Sequence, residues 1–188
     1  TYLTNFLGKE RVSPEKMVED LGTKWMLGEI WIKKYPCCFL QHRQIDSVIE
    51  MKKQHNLSLE EVREIEVHAS MAEKICDRPE PKNERDIQFS FQHVLSAAML
   101  DGDVNLKHIS EKAVKDPKFG EARSKVTLIY HPEFTIEFNK APARVVIKMK
   151  DGKEFSLLAS KIEENKEQLN CTAIEIALSC PHTPGFGV

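Results

Sequence analysis

The chain has 188 residues, of which 41% are hydrophobic and 30% charged, and a formal net charge of −2 at pH 7. This composition predicts a soluble globular protein that can bury a core, and no apolar run reaches the length of a membrane helix. The near-neutral charge gives no electrostatic reason to expect nucleic acid or a membrane as a partner.

The amino-terminal part predicts a helix followed by an extended segment. Ser13 is a suitable N-cap, Pro14 suits the first helical position, and Gly22 supplies a stop signal. Residues 25–32 are apolar and partly alternating, which favours a short extended segment.

Residues 32–46 (IKKYPCCFLQHRQID) are predicted to form a turn that leads into a helix. Pro36 removes one backbone donor and biases the residue before it toward extended geometry. Four side chains here can bind a carboxylate through ammonium, imidazole or guanidinium groups: Lys33, Lys34, His42 and Arg43. The alternative interpretation is a solvated basic turn, but apolar neighbours would desolvate part of the cluster and strengthen anion binding.

A helix and a strand come next. From Gln41 to His55-Asn56, apolar residues recur at three- and four-residue steps, which predicts a helix. Residues 63–70 (REIEVHAS) alternate apolar and polar side chains, as in a half-buried strand. Residues 78–85 are rich in proline and charge and predict a surface loop.

A second informative stretch covers residues 89–103 (FSFQHVLSAAMLDGD). Ser90 is placed to cap a helix that ends at Asp101-Gly102. One stripe of that helix is apolar and predicted to be buried: Phe91, Val94, Leu95, Ala98 and Met99. Three residues lie off that stripe: Gln92, His93 and Ser96. Asn105 then suits the start of a shorter helix closed by Pro117.

The rest of the chain predicts strands. Residues 124–130, 143–150 and 153–158 are strand-like, and Asp151-Gly152 is a strong hairpin signal between the last two. Residues 161–188 predict a divergent segment, helical and then irregular. The order of elements predicts an α+β fold with a small, mainly antiparallel sheet covered by helices on one face.

The cysteines favour a reducing environment. Five cysteines at irregular spacing indicate free thiols in the cytoplasm more than a disulfide framework. The adjacent pair Cys37-Cys38 lacks a second Cys/His pair at zinc-ligand spacing, which argues against a structural metal site.

Both informative stretches resemble one protein family. IKKYPCCFLQHRQID resembles the K-x-Y-P-C-x(4)-H-x-x-I-D pattern of the MmgE/PrpD family, which includes 2-methylcitrate dehydratase and cis-aconitate decarboxylase. FSFQHVLSAAMLDGD is similar to that family's F-S-x-x-Y-x-x-A-x-x-L-x-D-G segment. The strand between the two motifs and the hairpin after the second motif also occur in the same order along the chain as in the family. The resemblance covers roughly residues 1–160, as the family's α/β lid domain, and leaves residues 161–188 unmatched.

The resemblance implies a lyase. Family members are longer chains in which a large all-helical domain and the smaller lid enclose the active-site cleft. They act without metal or organic cofactor on small di- and tricarboxylates such as 2-methylcitrate, eliminating water or carbon dioxide, and generally form homodimers. The resemblance therefore implies a small polycarboxylate substrate, an all-helical domain in cis or in trans, and a homo-oligomer.

The resemblance also implies candidate substrate-binding residues. Lys33 falls on the family lysine that faces the substrate carboxylates, and His42 on the histidine six residues after the Tyr-Pro. Cys38 stands where the decarboxylase branch has histidine, which favours a dehydratase-like or uncharacterised branch. His93 replaces the tyrosine of the second motif.

Each candidate also has a purely structural interpretation. Lys33 can simply extend from the turn into solvent, and His42 can cap or pack locally. Cys38 can be a small core residue, and His93 a surface residue of its helix.

Three functional hypotheses follow from the sequence. The chain is the lid of a dehydratase-like lyase that is inactive in isolation, or a non-catalytic binding or regulatory domain that keeps the fold, or one subunit of a split enzyme. Elimination from a polycarboxylate builds negative charge that fixed cations stabilise while a positioned base moves the proton. The basic turn supplies cations, but the sequence shows no acid–base pair to accompany them.

Overall fold

The computed structural model describes residues 2–24, 33–137 and 140–159. The chain divides into two compact units, residues 1–32 and residues 33–188. The predicted extended segment at 25–32 and the divergent segment at 161–188 lie outside the described residues.

The first unit contains two short helices, α1 (Tyr2–Leu7) and α2 (Pro14–Val18). Pro14 occupies the first turn of α2, as predicted. The helix ends at Val18, earlier than predicted, because the backbone continues in i→i−3 turns such as Leu21 N to Val18 O (3.1 Å). Gly22, the predicted stop, has a φ of +84°, which an L side chain rarely adopts.

The second unit is built on one four-stranded sheet with the order β2-β1-β3-β4. Its strands are β1 (Val62–Ala69), β2 (Val126–Tyr130), β3 (Arg144–Met149) and β4 (Glu154–Leu158). The pairs β1/β3 and β3/β4 are antiparallel, whereas β1/β2 is parallel. The predicted α+β fold with a mainly antiparallel sheet is confirmed.

The predicted hairpin joins β3 and β4. Residues Asp151-Gly152 form the turn, and Met149 N donates to Lys153 O at 2.8 Å. Gly152 has a φ of +88°, which explains the glycine at this position. The antiparallel register places Ile147 opposite Phe155.

The parallel pair was not predicted. A parallel strand pair needs a crossover connection, usually helical, and here residues 70–125 supply it. The described residues of this unit also form five α-helices, four of them in the crossover: α3 (His42–His55), α4 (Glu84–Ile87), α5 (Phe91–Asp101), α6 (Glu111–Lys115) and α7 (Pro117–Arg123).

The region after α5 corrects one prediction. Instead of closing a helix, Pro117 opens α7, with the Asp116 side chain accepting a hydrogen bond from Lys118 N. Proline is favoured at the first helical position because its missing N–H has no intrahelical partner there and its φ is already helical. Asn105 caps only a short 3₁₀ helix (Leu106–His108), and Ser110 caps α6.

Helix α5 is the centre of the unit. The Ser90 side chain accepts from His93 N, and Gly102 ends the helix with a φ of +69°, as predicted. Because α5 contacts α3, α7 and β2, its whole circumference from Phe91 to Met99 is buried. The expectation that only one stripe would be buried is therefore wrong: Gln92, His93 and Ser96 are buried too.

One face of the sheet packs against α3 and α5. Residues of β1 and β3 that share this face are fully buried and in register, Ile65 with Ile147 and Val67 with Val145. The opposite face carries charged side chains, among them the ion pair between Lys148 and Glu66. Within the described part of the chain, no helix is both long enough and apolar enough to cross a bilayer.

Candidate active-site turn

Residues 33–43, here called the basic turn, are held by backbone hydrogen bonds. Cys37 N donates to Tyr35 O at 2.9 Å, and a 3₁₀ helix (Phe39–Gln41) leads directly into α3. Cys38 N donates to Gln88 O at 2.8 Å, just before α5. This bond joins the first motif stretch to the residue just before the second, and the two bonded residues are 50 positions apart in the sequence.

Asp46 in α3 anchors the start of the basic turn. Its Oδ1 accepts from Lys34 Nζ at 2.6 Å and from Tyr35 Oη at 2.7 Å. Burial and the neighbouring Asp46 carboxylate raise the pKa of Tyr35, so the phenol remains a hydrogen-bond donor. Lys34 is therefore committed to a structural ion pair, which the sequence analysis missed although Asp46 lies within the first motif.

His42 is buried between two aromatic rings. Its ring centroid lies 5.2 Å from that of Tyr35 and 4.8 Å from that of Phe39. Burial lowers the pKa of His42 to about 4, against the opposing effect of nearby backbone carbonyls. The imidazole is therefore neutral at pH 7, and its Nε2 has no hydrogen-bond partner among the described residues.

Lys33 is exposed on the same turn as Cys38 and His42, and its positive charge contributes to lowering the pKa of both. A hydrogen bond from the Cys76 thiol is the largest cause that lowers the pKa of Cys38, to about 6. This shift favours the thiolate form of Cys38. By contrast, burial raises the pKa of Cys37 to about 12, as expected of a core thiol.

Two other polar residues of the turn are buried. Arg43, proposed as a carboxylate fork, instead donates from Nη1 to Ala141 O at 2.7 Å. Gln41 is fully buried, and neither of its amide atoms has a partner in the described structure. No periodicity in the sequence singled out Gln41.

His93 lies in a different cluster, within the helices α5 to α7. Its Nε2 donates to His108 O at 2.9 Å, and its Nδ1 accepts from Arg123 Nη1 at 3.1 Å. Its ring stacks on Phe119 at 4.7 Å, and burial lowers the pKa of His93 to about 4. The structure thus brings Lys33, Cys38 and His42 together and places His93 in the core.

Folding stability should fall as the pH drops from 6.5 toward 4. In that interval the unfolded chain protonates His42 and His93 while the folded chain keeps both neutral. Each depressed pKa therefore costs stability in acid, up to about 3 kcal/mol per histidine at about 1.4 kcal/mol per pKa unit. About one pH unit above 6.5, where the unfolded histidines are also neutral, this pH dependence disappears.

Urea denaturation of wild type and His42→Gln at several pH values measures this effect. Glutamine keeps a neutral polar side chain but does not titrate, so the variant should lose less stability between pH 6.5 and pH 4.5 than wild type. Parallel stability curves over that interval would contradict a buried neutral His42.

Comparison with known proteins identifies the family. Residues 35–163 match the family model described as the MmgE/PrpD C-terminal domain. The chain is 25% identical over 151 residues to cis-aconitate decarboxylase of Homo sapiens and 26% identical over 155 residues to that of Mus musculus. It is 28% identical over 150 residues to cis-aconitate decarboxylase of Aspergillus terreus.

These alignments cover 77%, 77% and 73% of this chain, but only 31% of each relative. The chain thus spans about a third of the length of the curated relatives. The family match includes the basic turn from Tyr35 onward, all four strands and α5. Since the match covers well over half of the sequence, with most of the first motif stretch and all of the second, the chain belongs to the MmgE/PrpD family, and residues 35–163 correspond to the family's C-terminal domain.

Proposed function

We propose that the chain is the substrate-covering lid domain of a cofactor-independent lyase that acts on small di- or tricarboxylates. The observation that carries this proposal is the grouping of Lys33, Cys38 and His42 on one turn. An exposed ammonium next to a neutral imidazole suits a carboxylate ligand. The relatives named cis-aconitate decarboxylase support a substrate of this class.

Each group has a distinct chemical role in the proposal. Lys33 anchors a substrate carboxylate and stabilises negative charge that develops on the adjacent carbon. The half-buried Cys38 sulfur can accept a proton or a hydrogen bond, whereas the buried, neutral His42 packs between Tyr35 and Phe39 and supports the turn. Closure of the domain over the substrate excludes water from the reacting groups.

The reaction proposed is dehydration, with 2-methylcitrate as the model substrate. In the resemblance to the family, Cys38 takes the place of a histidine of the decarboxylase branch. A thiol or thiolate differs from imidazole in size, charge and hydrogen-bonding geometry. This substitution supports dehydratase chemistry over decarboxylation.

The remaining catalytic groups would come from an all-helical domain, in the same polypeptide or in a separate one. We call the combination of both domains the assembled enzyme and propose that it is a cytoplasmic homo-oligomer. The isolated chain should not dehydrate 2-methylcitrate or citrate, nor decarboxylate cis-aconitate.

A non-catalytic binding domain is the second candidate. It is favoured by His93, because the side chain at the family's tyrosine position is fully buried with both ring nitrogens engaged. Such a domain would bind a polycarboxylate at the basic turn without contributing a group from α5 to the chemistry.

Titration of the isolated chain with citrate, followed by backbone NMR, tests carboxylate binding. Saturable shift changes should concentrate at residues 33–43, with weak affinity because half of the cleft is absent. Lys33→Ala should weaken binding at least roughly tenfold, since a charge-assisted hydrogen bond contributes about 1.5–3 kcal/mol.

Lys34→Ala is the matched control for this titration, because Lys34 is already paired with Asp46. It should leave citrate affinity within a factor of about three, since an exposed ion pair contributes little. Equal losses in both variants, or shifts spread over all surface lysines, would show a solvated basic patch with no specific site.

A further inference from the structure

We infer that Cys38 and Cys76 are a redox pair in which a hydroperoxide oxidises Cys38 and Cys76 closes a reversible disulfide. Both residues are free cysteines in the structure. They are 38 positions apart in the sequence, but the short helices next to them, Phe39–Gln41 and Met71–Cys76, contact each other. A hydrogen bond between the two thiols is also the largest cause of the pKa shift of each.

The surrounding structure holds the two thiols in place. Cys38 directly precedes the 3₁₀ helix Phe39–Gln41, and Cys76 ends the 3₁₀ helix Met71–Cys76. These two helices pack against each other. A buried hydrogen bond between Gln44 Nε2 and Glu73 Oε1, at 2.6 Å, fastens the second helix to α3.

The two thiols differ in access to solvent. Cys38 is half-buried, whereas Cys76 is fully buried. A small oxidant in solution therefore reaches Cys38 before it reaches the buried Cys76. This is the arrangement of a reactive cysteine and its resolving partner.

The electrostatics assign the same roles. The Cys76 thiol, the Leu40 backbone N–H and Lys33 together lower the pKa of Cys38 to about 6. The hydrogen bond to Cys38 and burial raise the pKa of Cys76, so it keeps its proton. The thiolate is the nucleophilic form of cysteine, so the direction of the two pKa shifts and the greater exposure of Cys38 favour the same attacking residue.

The proposed oxidation of the two thiols to a disulfide takes place in two steps. The Cys38 thiolate attacks the outer oxygen of a hydroperoxide, giving a sulfenic acid and an alkoxide or hydroxide that takes up a proton. The Cys76 sulfur then attacks the Cys38 sulfur, and the hydroxyl leaves as water together with the Cys76 proton. The peroxide has been reduced by two electrons, and the two thiols have been oxidised to one disulfide.

Formation of the Cys38–Cys76 disulfide would alter the basic turn, and this effect does not depend on which ligand the turn binds. The disulfide removes the negative charge beside Lys33 and ties the turn covalently to residues 71–76. The inference does not depend on the proposed lyase activity, because it concerns only the reactivity of the two thiols in this chain.

Alkylation and mass spectrometry of the full chain test the pair. The rate of Cys38 alkylation by iodoacetamide should rise with pH around a midpoint near 6. At pH 7 it should exceed that of Cys37 by on the order of a hundredfold, after allowing for the lower intrinsic nucleophilicity of an acidic thiol. Comparable rates at the two adjacent cysteines would overturn the assignment of Cys38 as the reactive thiol.

Oxidation with one equivalent of hydrogen peroxide should lower the mass of the chain by two hydrogen atoms. It should also join the tryptic peptides 35–43 and 75–82 through a disulfide. Dithiothreitol should reverse the link. Cys37→Ser is the matched control and should still form it, whereas Cys38→Ser should not. In Cys76→Ser, dimedone should trap a sulfenic acid on Cys38. A link from Cys37, or from Cys38 to Cys171 or Cys180 in place of Cys76, would overturn the inference.

Discussion

Replacing Lys33 with alanine should lower kcat/KM of the assembled enzyme roughly ten- to a hundredfold. In the proposed site, the substitution removes one charge-assisted hydrogen bond to a substrate carboxylate. Such a bond contributes about 1.5–3 kcal/mol, and each 1.4 kcal/mol corresponds to a factor of about ten in rate. Steady-state kinetics with 2-methylcitrate measures the change. Folding should be nearly unaffected because Lys33 is exposed.

The adjacent lysine supplies the control for the same assay. Lys34 forms an ion pair with Asp46, and the two side chains are 54% and 36% exposed. An exposed pair of this kind is worth about 0–1 kcal/mol to stability, and its ammonium already has a carboxylate partner within the chain. Lys34→Ala should therefore leave kcat/KM within a few-fold of wild type.

Two results would contradict this role of Lys33. Unchanged kinetics with a clear drop in melting temperature would assign the side chain to packing. Equal kinetic losses in Lys33→Ala and Lys34→Ala would mean that the turn attracts anions only through its net charge.

Replacing Phe91 with alanine should reduce the free energy of unfolding by about 3–5 kcal/mol. Phe91 is fully buried and begins α5, which contacts α3, α7 and β2. Removing a buried aromatic ring loses its transfer free energy and leaves a cavity that the surrounding residues fill only in part. Because typical domains are stable by only about 5–15 kcal/mol, the loss should be plain in urea denaturation.

Leu106→Ala is the control for the loss at Phe91, because its side chain is 75% exposed. It should change the free energy of unfolding by no more than about 0.5 kcal/mol. A loss below about 1 kcal/mol for Phe91→Ala would mean that α5 is not the centre of the core. Such a result would also weaken the argument for the site, since Cys38 is tied to Gln88 just before this helix.

Much of the fold could be predicted from the sequence because the signals are local. Strict alternation over residues 63–70 predicts β1, and Asp151-Gly152 predicts the β3–β4 hairpin; both are present. The capping signals Ser90 and Gly102 bound α5 as predicted. These features depend on side-chain periodicity and backbone preference within a few residues.

The family could also be predicted from local signals, namely the two motifs. Each motif is a set of residue types at short, fixed spacing, and the family match from residue 35 to residue 163 contains most of the first and all of the second. The pattern indicated which side chains of the basic turn could meet a ligand. It did not show which of them have partners elsewhere in the chain.

Only the tertiary structure decided those partners. It pairs β2 with β1 in parallel, engages Arg43 with Ala141, buries His93 beside Arg123 and sets Cys38 against Cys76. Each of these contacts joins segments at least 30 residues apart. Local conformational preference cannot predict such contacts. A remote partner changes the burial, charge and hydrogen bonding of a residue without changing the sequence pattern around it. The sequence by itself therefore determined the elements and the family of this protein, whereas the packing of remote segments decided which polar groups remain available for chemistry.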